Sequence, residues 1–211
     1  RIATRNLHKE NYERAEFLGI ISKQYENCLC ISGTHGKSTT TGMVSMCFLE
    51  ACLNPTIQIG AMLSPINGNT HIGDNKYLIM ESCEYVDSFL HFHPTSIIIT
   101  NIDNDHLDYF KNLDNIKKSF NKYVNLLPED GLLIKNNDDI NSSNIEAGYK
   151  GKVITYGITN KADYVAQNIK ADDLGHYSFD IYYQDKFLTT ISLNINGKHN
   201  IYNALAVFAL S

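Results

Sequence analysis

The amino-acid sequence predicts an α/β fold in which a mostly parallel sheet carries helices on both faces, with a small antiparallel β-sheet near the C-terminus. Apolar, strand-like runs alternate with helical patterns over most of the chain, which is typical of a parallel sheet. The first apolar run leads into Gly-Lys-Ser and then into a helical pattern, as in P-loop ATPases. Beyond Ala162 apolar and polar residues alternate, which favours antiparallel strands.

The elements of the parallel part follow one another without repeats. Their boundaries are marked by residues that end helices or favour turns, namely Asn27, Asn54-Pro55, Asn67-Gly68 and Pro128. The spacing of apolar residues predicts helices at 10–25, 37–53, 86–90 and 115–127. Buried strands are predicted at 28–32, 56–60, 77–81, 96–100, 131–136 and 153–157.

The last part of the chain has a different organisation. About three strands are predicted between 162 and 196, joined by short polar turns at Asp173-Leu174-Gly175 and Gln184-Asp185-Lys186. A helix is predicted from about His199 to the end of the sequence, without a residue that would stop it. Because the chain also lacks an initiator methionine, we expect it to be one domain of a longer protein.

Composition excludes several classes of protein. With 211 residues and a net charge of -5, the chain gives no electrostatic reason to expect nucleic acid or an anionic membrane as a partner. No apolar run reaches the roughly 20 residues that cross a bilayer, and the charged N-terminus lacks a signal-peptide core. The five cysteines are an odd number in apolar patterns, so we predict reduced core thiols and a cytoplasmic location.

The segment ISGTHGKSTTT has the features of a phosphate-binding loop. Gly33 and Gly36 allow backbone N–H groups to approach phosphate oxygens, and the helix after them adds the positive end of its dipole. Lys37 supplies a mobile positive charge, and the hydroxyl of Ser38 can bind magnesium. The alternative is a helix start that carries these residues by chance. The position between a strand and a helix favours the nucleotide role.

Two other strands end in groups that could bind metal at the same edge of the sheet. Glu81 ends a buried strand, and open α/β sheets bind ligands at this edge. After the strand SIIIT, the segment TNIDNDHLDYF concentrates Asp103, Asp105, His106 and Asp108, which could reach a magnesium shell or orient water. The alternatives are a solvated strand end at Glu81 and, in the second segment, an N-capping Asp with a surface His.

Two further groups of polar side chains have simpler explanations. Glu84 and Asp87 are predicted to cap or position the short helix that follows Glu81. Asn200 and Asn203, in the segment NGKHNIYNA, could bring amide groups to the edge of a base. Taken alone, that segment is more typical of a helix cap.

Together, four segments resemble the Mur ligases, the ATP-dependent amide-forming enzymes of peptidoglycan precursor synthesis. GTHGKSTTT, ESCEYVDSFL, TNIDNDHLDYF and GKHNIYNALA match in order over nearly the whole chain. The family spaces its glycines as Gly-Thr-X-Gly-Lys, which explains why Ile31 stands where longer phosphate loops have a glycine. Ser38 replaces the commoner threonine and keeps its hydroxyl.

The resemblance implies a site for ATP and Mg²⁺. Lys37 and His106 would act in catalysis, with Lys37 on the transferred phosphoryl group, and Asn200 and Asn203 would face the adenine. The ATP phosphates would be wrapped by Gly33, Thr34, His35, Gly36, Lys37, Ser38 and Thr39. Magnesium would be bound by Ser38, Glu81 and His106.

The resemblance also implies the domain organisation and the reaction. Residues 1–26 would be a connecting segment and helix from a missing N-terminal domain. Residues 27–211 would be the central ATP-binding domain, with the antiparallel strands at about 162–196, and the C-terminal domain would be absent. ATP would convert the carboxylate of UDP-N-acetylmuramate to an acyl phosphate, which L-alanine would attack to form an amide. Both substrates would bind with the missing domains, so we expect the fragment alone to be inactive.

Two alternative functions stay open. A ligase of the same family that joins recycled tripeptide to UDP-N-acetylmuramate shares GTHGK, but it carries an aromatic and basic stretch after the glutamate that is not seen here. A P-loop module could instead use nucleotide only as a switch or a structural ligand, with Glu81 and His106 as caps. Release of ADP that depends on an amino acid would separate a ligase from such a module.

Overall fold

The computed structural model describes residues 12–146 and 148–210. Three 3₁₀ turns accompany the helices and strands, at Ser64–Ile66, Tyr85–His91 and Ser142–Asn144. In chain order the elements are α1 (Arg14–Ser22), β1 (Asn27–Ser32), α2 (Lys37–Glu50), β2 (Thr56–Leu63), β3 (Gly68–His71), β4 (Tyr77–Glu81), β5 (Ser96–Ile99), α3 (Leu107–Phe110), α4 (Leu113–Val124), β6 (Leu132–Asn136), β7 (Lys152–Gly157), β8 (Tyr164–Ala171), β9 (His176–Tyr183), β10 (Lys186–Asn196) and α5 (His199–Leu210).

The ten strands described form a single sheet in the order β10-β9-β8-β7-β6-β5-β1-β4-β2-β3. All pairs from β8 to β2 are parallel, with β1 between β4 and β5. The two ends of the sheet are antiparallel, where β3 pairs with β2 and where β9 and β10 follow β8. The predicted mostly parallel sheet with antiparallel strands near the C-terminus is therefore confirmed.

Both faces of the central strands are buried, which explains their continuous apolar sequences. Successive side chains of a strand point to opposite faces, so β1 contributes Cys28 and Cys30 to one core and Leu29 and Ile31 to the other. The first core lies under α4 and the second under α2 and α5. Helix α4 begins after Asn112, whose side-chain oxygen accepts a hydrogen bond from the Asn115 N–H group at 3.0 Å.

The antiparallel strands continue the main sheet. Strand β8 pairs with β7 in parallel at Tyr156↔Tyr164 and Gly157↔Val165, and then turns into the antiparallel set. The alternation of apolar and polar residues predicts the strands themselves, but it does not show which strand β8 pairs with. The predicted final helix is confirmed, since α5 begins at His199.

Several local predictions differ from the structure. The predicted helix at 86–90 is a 3₁₀ turn in which Val86 and Asp87 have left-handed backbone angles, φ 50° and 57°. Strand β3 was not predicted, because its sequence GNTH is polar and lies at the sheet edge. All five cysteines are free as predicted, but only Cys28 and Cys30 are in the core, and the other three, Cys47, Cys52 and Cys83, are exposed.

Two expectations concern the beginning of the chain and membranes. Of the predicted connecting segment 1–26 and its helix, positions 1–11 lie outside the described residues, and α1 begins at Arg14. Within the part of the chain that the structure describes, no helix combines the length and the apolar character needed to span a bilayer.

The buried face under α4 gives a test of the core. We expect Leu133→Ala to lower the free energy of unfolding by about 2–5 kcal/mol, because Leu133 is fully buried and its loss leaves a cavity. Leu174→Ala is the matched control, since Leu174 is 70% exposed and should change stability by roughly 0.5 kcal/mol or less. Urea denaturation of both variants measures the difference, and equal effects would contradict the assigned core.

Candidate functional site

The loop between β1 and α2 requires glycine at two positions. Gly33 has φ 133° and Gly36 has φ 83°, both in the region that side chains disfavour. A Cβ atom at Gly33 would lie 2.2 Å from Oγ1 of Thr100, and one at Gly36 would lie 2.7 Å from Oδ1 of Asn203. The loop therefore folds tightly against the end of β5 and the start of α5.

The loop is fixed by the segment that follows β5. The Thr34 N–H group donates to the carbonyl of Asn101 at 2.9 Å, and the His35 N–H group donates to Oδ1 of the same residue at 2.9 Å. In return, the Thr100 hydroxyl donates to the carbonyl of His35 at 2.6 Å. The Asp103 N–H group donates to the hydroxyl of Thr34 at 2.9 Å. The two loops are thus one hydrogen-bonded unit.

Lys37, the first residue of α2, is paired with a buried carboxylate. Its ammonium group lies 3.2 and 3.1 Å from the two carboxylate oxygens of Glu84 and donates to the carbonyls of Gly33 at 2.5 Å and Thr34 at 3.2 Å. The side chain of Glu84 is 2% exposed and that of Lys37 is 14% exposed. A carboxylate so well shielded from water needs such a cation, since an unpaired charge there is costly.

Glu84 also belongs to the group of side chains best placed to hold a metal. One ligand atom each from Glu84, Asp105 and His106 lies within 4.8 Å of the others. His106 has a left-handed backbone, φ 51°, and its N–H group donates to Oδ1 of Asp105 at 2.7 Å. Two carboxylates and an imidazole form a donor set suited to a divalent cation.

Two tyrosines stabilise this group from the outside. The Tyr85 hydroxyl donates to Asp108 at 2.9 Å, and the Tyr109 hydroxyl donates to Asp87 at 2.7 Å. These hydrogen bonds raise the pKa of both phenols, because a phenolate would face a carboxylate. The Tyr85 ring lies against the ring of His106, with centroids 4.5 Å apart. The segment after β4, which carries Glu84, and the segment after β5, which carries Asp105 and His106, are therefore cross-linked.

The structure places Glu81 differently from Glu84. Oε2 of Glu81 accepts a hydrogen bond from the N–H group of Gly60, within β2, at 2.8 Å. Within strand β4 its side chain shares a face with Ile79, on the α2 side of the sheet. Ser38 is half-buried at the second position of α2. The predicted metal roles of Ser38 and Glu81 stay predictions, and the contacts favour Glu84 over Glu81.

A small cavity of about 120 Å³ opens on the other side of the phosphate loop. Of the two predicted amide residues, Asn203 lines this cavity, and its Nδ2 donates to Oδ1 of Asn200 at 2.9 Å. Asn200 donates in turn to the carbonyl of Asn196 at 2.8 Å, so it supports Asn203. The cavity is lined by His35, Gly36, Thr100, Asn101, Asn136, His199, Tyr202 and Asn203.

The sequence matches the model of a known protein family. The family described as the Mur ligase middle domain matches residues 31–211, which include the loop between β1 and α2, the cluster of Glu84, Asp105 and His106, and the cavity. The chain belongs to the Mur ligase family.

Several curated relatives carry the same name. The chain is 46% identical over 211 residues to UDP-N-acetylmuramate–L-alanine ligase of Caldicellulosiruptor saccharolyticus, a match that covers 100% of this chain and 46% of the relative. It is 47% identical over 196 residues to the enzyme of the same name from Clostridium acetobutylicum, covering 93% of this chain and 43% of the relative. The chain thus spans about half the length of the curated relatives it matches.

Solved structures of Mur ligases have the same fold. UDP-N-acetylmuramate–alanine ligase of Thermotoga maritima superposes with a TM-score of 0.84 at 25% identity, covering 99% of this chain and 46% of that one. UDP-N-acetylmuramate:L-alanyl-γ-D-glutamyl-meso-diaminopimelate ligase, a tripeptide ligase of Neisseria meningitides, gives a TM-score of 0.81 at 24% identity, covering 99% of this chain and 68% of that one. A MurF ligase of Thermotoga maritima in complex with ADP gives 0.74 at 15%, covering 96% and 50%.

Sequence patterns identified some members of this Mur ligase site and undervalued others. The structure brings Lys37 and His106 together through Glu84, and the nucleotide, metal and adenine roles of the loop residues, His106 and Asn203 stay predictions. Glu84 was expected to cap a helix, although its separation of only three residues from Glu81 made it an equal candidate. Asn101, which directly follows a central strand, carried the same positional signal as Glu81 and was not singled out.

The ion pair between Lys37 and Glu84 leads to a stability prediction. Lys37→Met should lower the free energy of unfolding by roughly 3 kcal/mol, because Glu84 would stay buried without its cation. Adding Glu84→Gln should restore most of the loss, since the charge to be buried is then removed. Chemical denaturation of both variants measures this.

Lys118→Met is the matched control for this experiment. Lys118 lies on the exposed side of α4, so its replacement should change stability by about 0.5 kcal/mol or less. An unchanged stability of Lys37→Met, or no recovery in the double variant, would contradict the assigned pairing.

Proposed function

We propose that the chain is the central, ATP-binding part of a ligase that joins L-alanine to the carboxylate of UDP-N-acetylmuramate. The observation that carries this proposal is the convergence of Lys37, Glu84 and His106 beside a glycine-dependent loop. The substrates are taken from the name shared by relatives that are 44–47% identical to this chain.

The loop offers an ATP subsite. The N-terminus of α2, which begins at Lys37, presents N–H groups and a positive dipole end to phosphate oxygens, while the N–H groups of Thr34 and His35 hold the loop to Asn101. Lys37 donates to Glu84 and to two loop carbonyls, and a phosphate would compete with these acceptors for its ammonium group. A MurF ligase with the same fold is known in complex with ADP, which supports a nucleotide as the ligand.

Magnesium fits the group next to the loop. Glu84 and His106 would hold the ion, with Asp105 as a further oxygen donor. The hydroxyl of Ser38, at the second position of α2, is the ligand that the family resemblance adds. When bound, the ion would neutralise charge on the phosphates and on the attacking carboxylate. Tyr85 keeps the His106 ring in place through their 4.5 Å contact. In this arrangement Glu81 holds the middle of β2 through its hydrogen bond with Gly60.

The proposed reaction has two steps. The carboxylate of UDP-N-acetylmuramate attacks the γ-phosphorus of ATP, giving an acyl phosphate and ADP. The amine of L-alanine then attacks the acyl carbon, and phosphate leaves as the amide forms. Lys37 would offset the negative charge that gathers on the transferred phosphoryl group.

We also propose that two further domains flank this chain in the whole protein. Residues 1–26 would connect the central domain to an N-terminal domain, and a C-terminal domain would follow residue 211. Both would contribute to binding UDP-N-acetylmuramate and L-alanine, so this chain alone should release no product. We place the enzyme in the cytoplasm, with no nucleic-acid or membrane partner.

A recycling ligase is the second candidate, because the tripeptide ligase of Neisseria meningitides has the same fold. We propose to measure ADP release by the full-length parent protein with UDP-N-acetylmuramate and Mg-ATP, adding L-alanine, glycine, L-serine or the tripeptide. Release that depends on L-alanine supports the first candidate, and release only with tripeptide supports the second. No substrate-dependent release would favour a P-loop module that uses nucleotide only as a switch.

Exchange of the two glutamates tests the metal assignment. Glu84→Gln in the full-length protein should raise the Mg²⁺ concentration for half-maximal activity by at least about tenfold, because a charged ligand becomes neutral. Glu81→Gln is the matched control and should shift this concentration by less than about threefold, since an amide oxygen can still accept the Gly60 N–H group. A larger shift in this Mg²⁺ concentration for Glu81→Gln than for Glu84→Gln would show that Glu81, and not Glu84, binds the metal.

A further inference from the structure

Three sulfur atoms meet inside the core that lies under α4. Cys28 and Cys30 are alternate residues of β1, so their side chains point to the same face of the sheet, and their Sγ atoms lie 3.6 Å apart. Met80 of β4 lies beside Cys30 in the parallel register, and its Sδ atom is 3.8 Å from Sγ of Cys28. All three side chains are buried, with at most 1% of their surface exposed.

The spacing of these sulfur atoms matches that of ligands around a single metal ion. Bonds from a metal ion to sulfur are about 2.3 Å long, so two sulfur atoms that share an ion at an angle of roughly 100–120° lie about 3.5–4.0 Å apart. The distances from Cys28 to Cys30 and to Met80 both fall in this range. The sulfur atoms would therefore need to move little to bind an ion between them.

Two buried hydroxyl groups lie beside the sulfur atoms. The side chains of Ser82 and Tyr123 are fully buried, and neither hydroxyl has a hydrogen-bond partner among the described residues. Protein interiors rarely leave a buried hydroxyl unpaired, and a bound ion is one explanation where they do. Burial raises the pKa of the Cys30 thiol, but the neighbouring thiol and the two hydroxyls outweigh burial and lower this pKa overall. The surroundings thus favour a thiolate at Cys30.

The donor set selects the kind of ion. Thiolate and thioether sulfur favour Cu(I), whereas Mg²⁺ and Ca²⁺ are bound by oxygen ligands. Zn²⁺ usually takes four ligands, and in the described part of the chain no imidazole, carboxylate or further thiol groups with Cys28 and Cys30. The single positive charge of Cu(I) would be balanced by the Cys30 thiolate, which lowers the cost of burying both charges.

We propose that Cys28, Cys30 and Met80 form a binding site for Cu(I), a soft monovalent cation. On binding, the ion would displace the proton of the Cys30 thiol, which would leave to solvent. The hydroxyls of Ser82 and Tyr123 would then donate to a metal-bound thiolate and gain the hydrogen-bond partner that they lack.

This site lies just below the phosphate loop and is separate from the proposed magnesium site, whose ligands are oxygen and nitrogen atoms. Strand β1 continues through Ser32 into the loop, and the Ser32 hydroxyl donates to the carbonyl of Ser82 at 2.8 Å. The Ser82 N–H group donates to the carbonyl of Ile31 at 2.8 Å. An ion shared by Cys30 and Met80 would therefore cross-link β1 to β4 close to the point where both strands end.

The test measures the affinity of the full-length parent protein for Cu(I) by competition with a colorimetric chelator, with ascorbate keeping the copper reduced in the absence of oxygen. Cys30→Ala removes the thiolate, and Met80→Leu replaces the thioether by an apolar side chain of similar volume. Each variant should weaken the tightest Cu(I) binding by at least about tenfold, since the loss of a group that only supports a metal ligand already costs 10- to 100-fold.

X-ray absorption spectroscopy at substoichiometric Cu(I) counts the sulfur ligands directly. The wild-type protein should show three sulfur atoms at about 2.3 Å from copper, and Met80→Leu should show two. Because Met80→Leu keeps the volume of the core, this result does not depend on how well Cys30→Ala folds.

Cys52→Ala is the matched control for the competition experiment. Cys52 is a free thiol like Cys30, but it is exposed and lies outside the sulfur cluster, so its loss should leave the tightest Cu(I) binding unchanged. A loss of binding confined to Cys52→Ala would overturn the proposal, because exposed thiols alone would then hold the ion.

Two further results would overturn the three-sulfur site. One is unchanged Cu(I) affinity in both Cys30→Ala and Met80→Leu. The other is weaker binding in Cys30→Ala alone, with the same number of sulfur ligands in Met80→Leu as in the wild-type protein. All of these measurements are independent of the proposed ligase function, because none of them uses nucleotide or substrate.

Discussion

The parallel pairing of β1 with β4 on one side and β5 on the other is the constraint on which the site depends. The register sets Ile31 opposite Glu81, so neighbouring strands end at the same level. Hydrogen bonds extend this pairing beyond the strands, from the Ser82 N–H group to Ile31 at 2.8 Å and from the Thr100 N–H group to Ser32 at 3.0 Å. Three loops therefore leave the sheet side by side, which brings residues distant in sequence into one site.

Most of the fold could be predicted because its central strands are apolar on both faces. Strands such as YLIME and SIIIT have few alternative explanations, and breakers such as Pro128 define the ends of helices. Strand β3 escaped prediction because an edge strand need not be apolar. The pairing of β8 with β7 also could not be predicted, since it rests on two residue pairs and no pattern specifies a neighbour.

The site was predictable where chemistry depends on backbone shape and less so where it depends on side-chain direction. Gly33 and Gly36 are required by positive φ angles, and their spacing is visible in the sequence. Glu84 reaches Lys37 because the chain turns sharply after it, through left-handed angles at Val86 and Asp87. Such angles are unusual for a β-branched residue such as Val86, so no pattern in the sequence predicted this turn or favoured Glu84 over Glu81.

The end of β6 connects the two sides of the phosphate loop. Asp138 is bonded to Tyr202 on the cavity side, whereas Oδ1 of its neighbour Asp139 accepts from the N–H groups of Ile102 at 3.2 Å and Ser142 at 2.7 Å. Ile102 begins the segment that carries His106. Two adjacent carboxylates thus fix the cavity side and the segment that carries His106 from one short turn. Because each carboxylate bonds mainly to backbone N–H groups, the spacing between the two sides depends on the rigid sheet more than on flexible side chains.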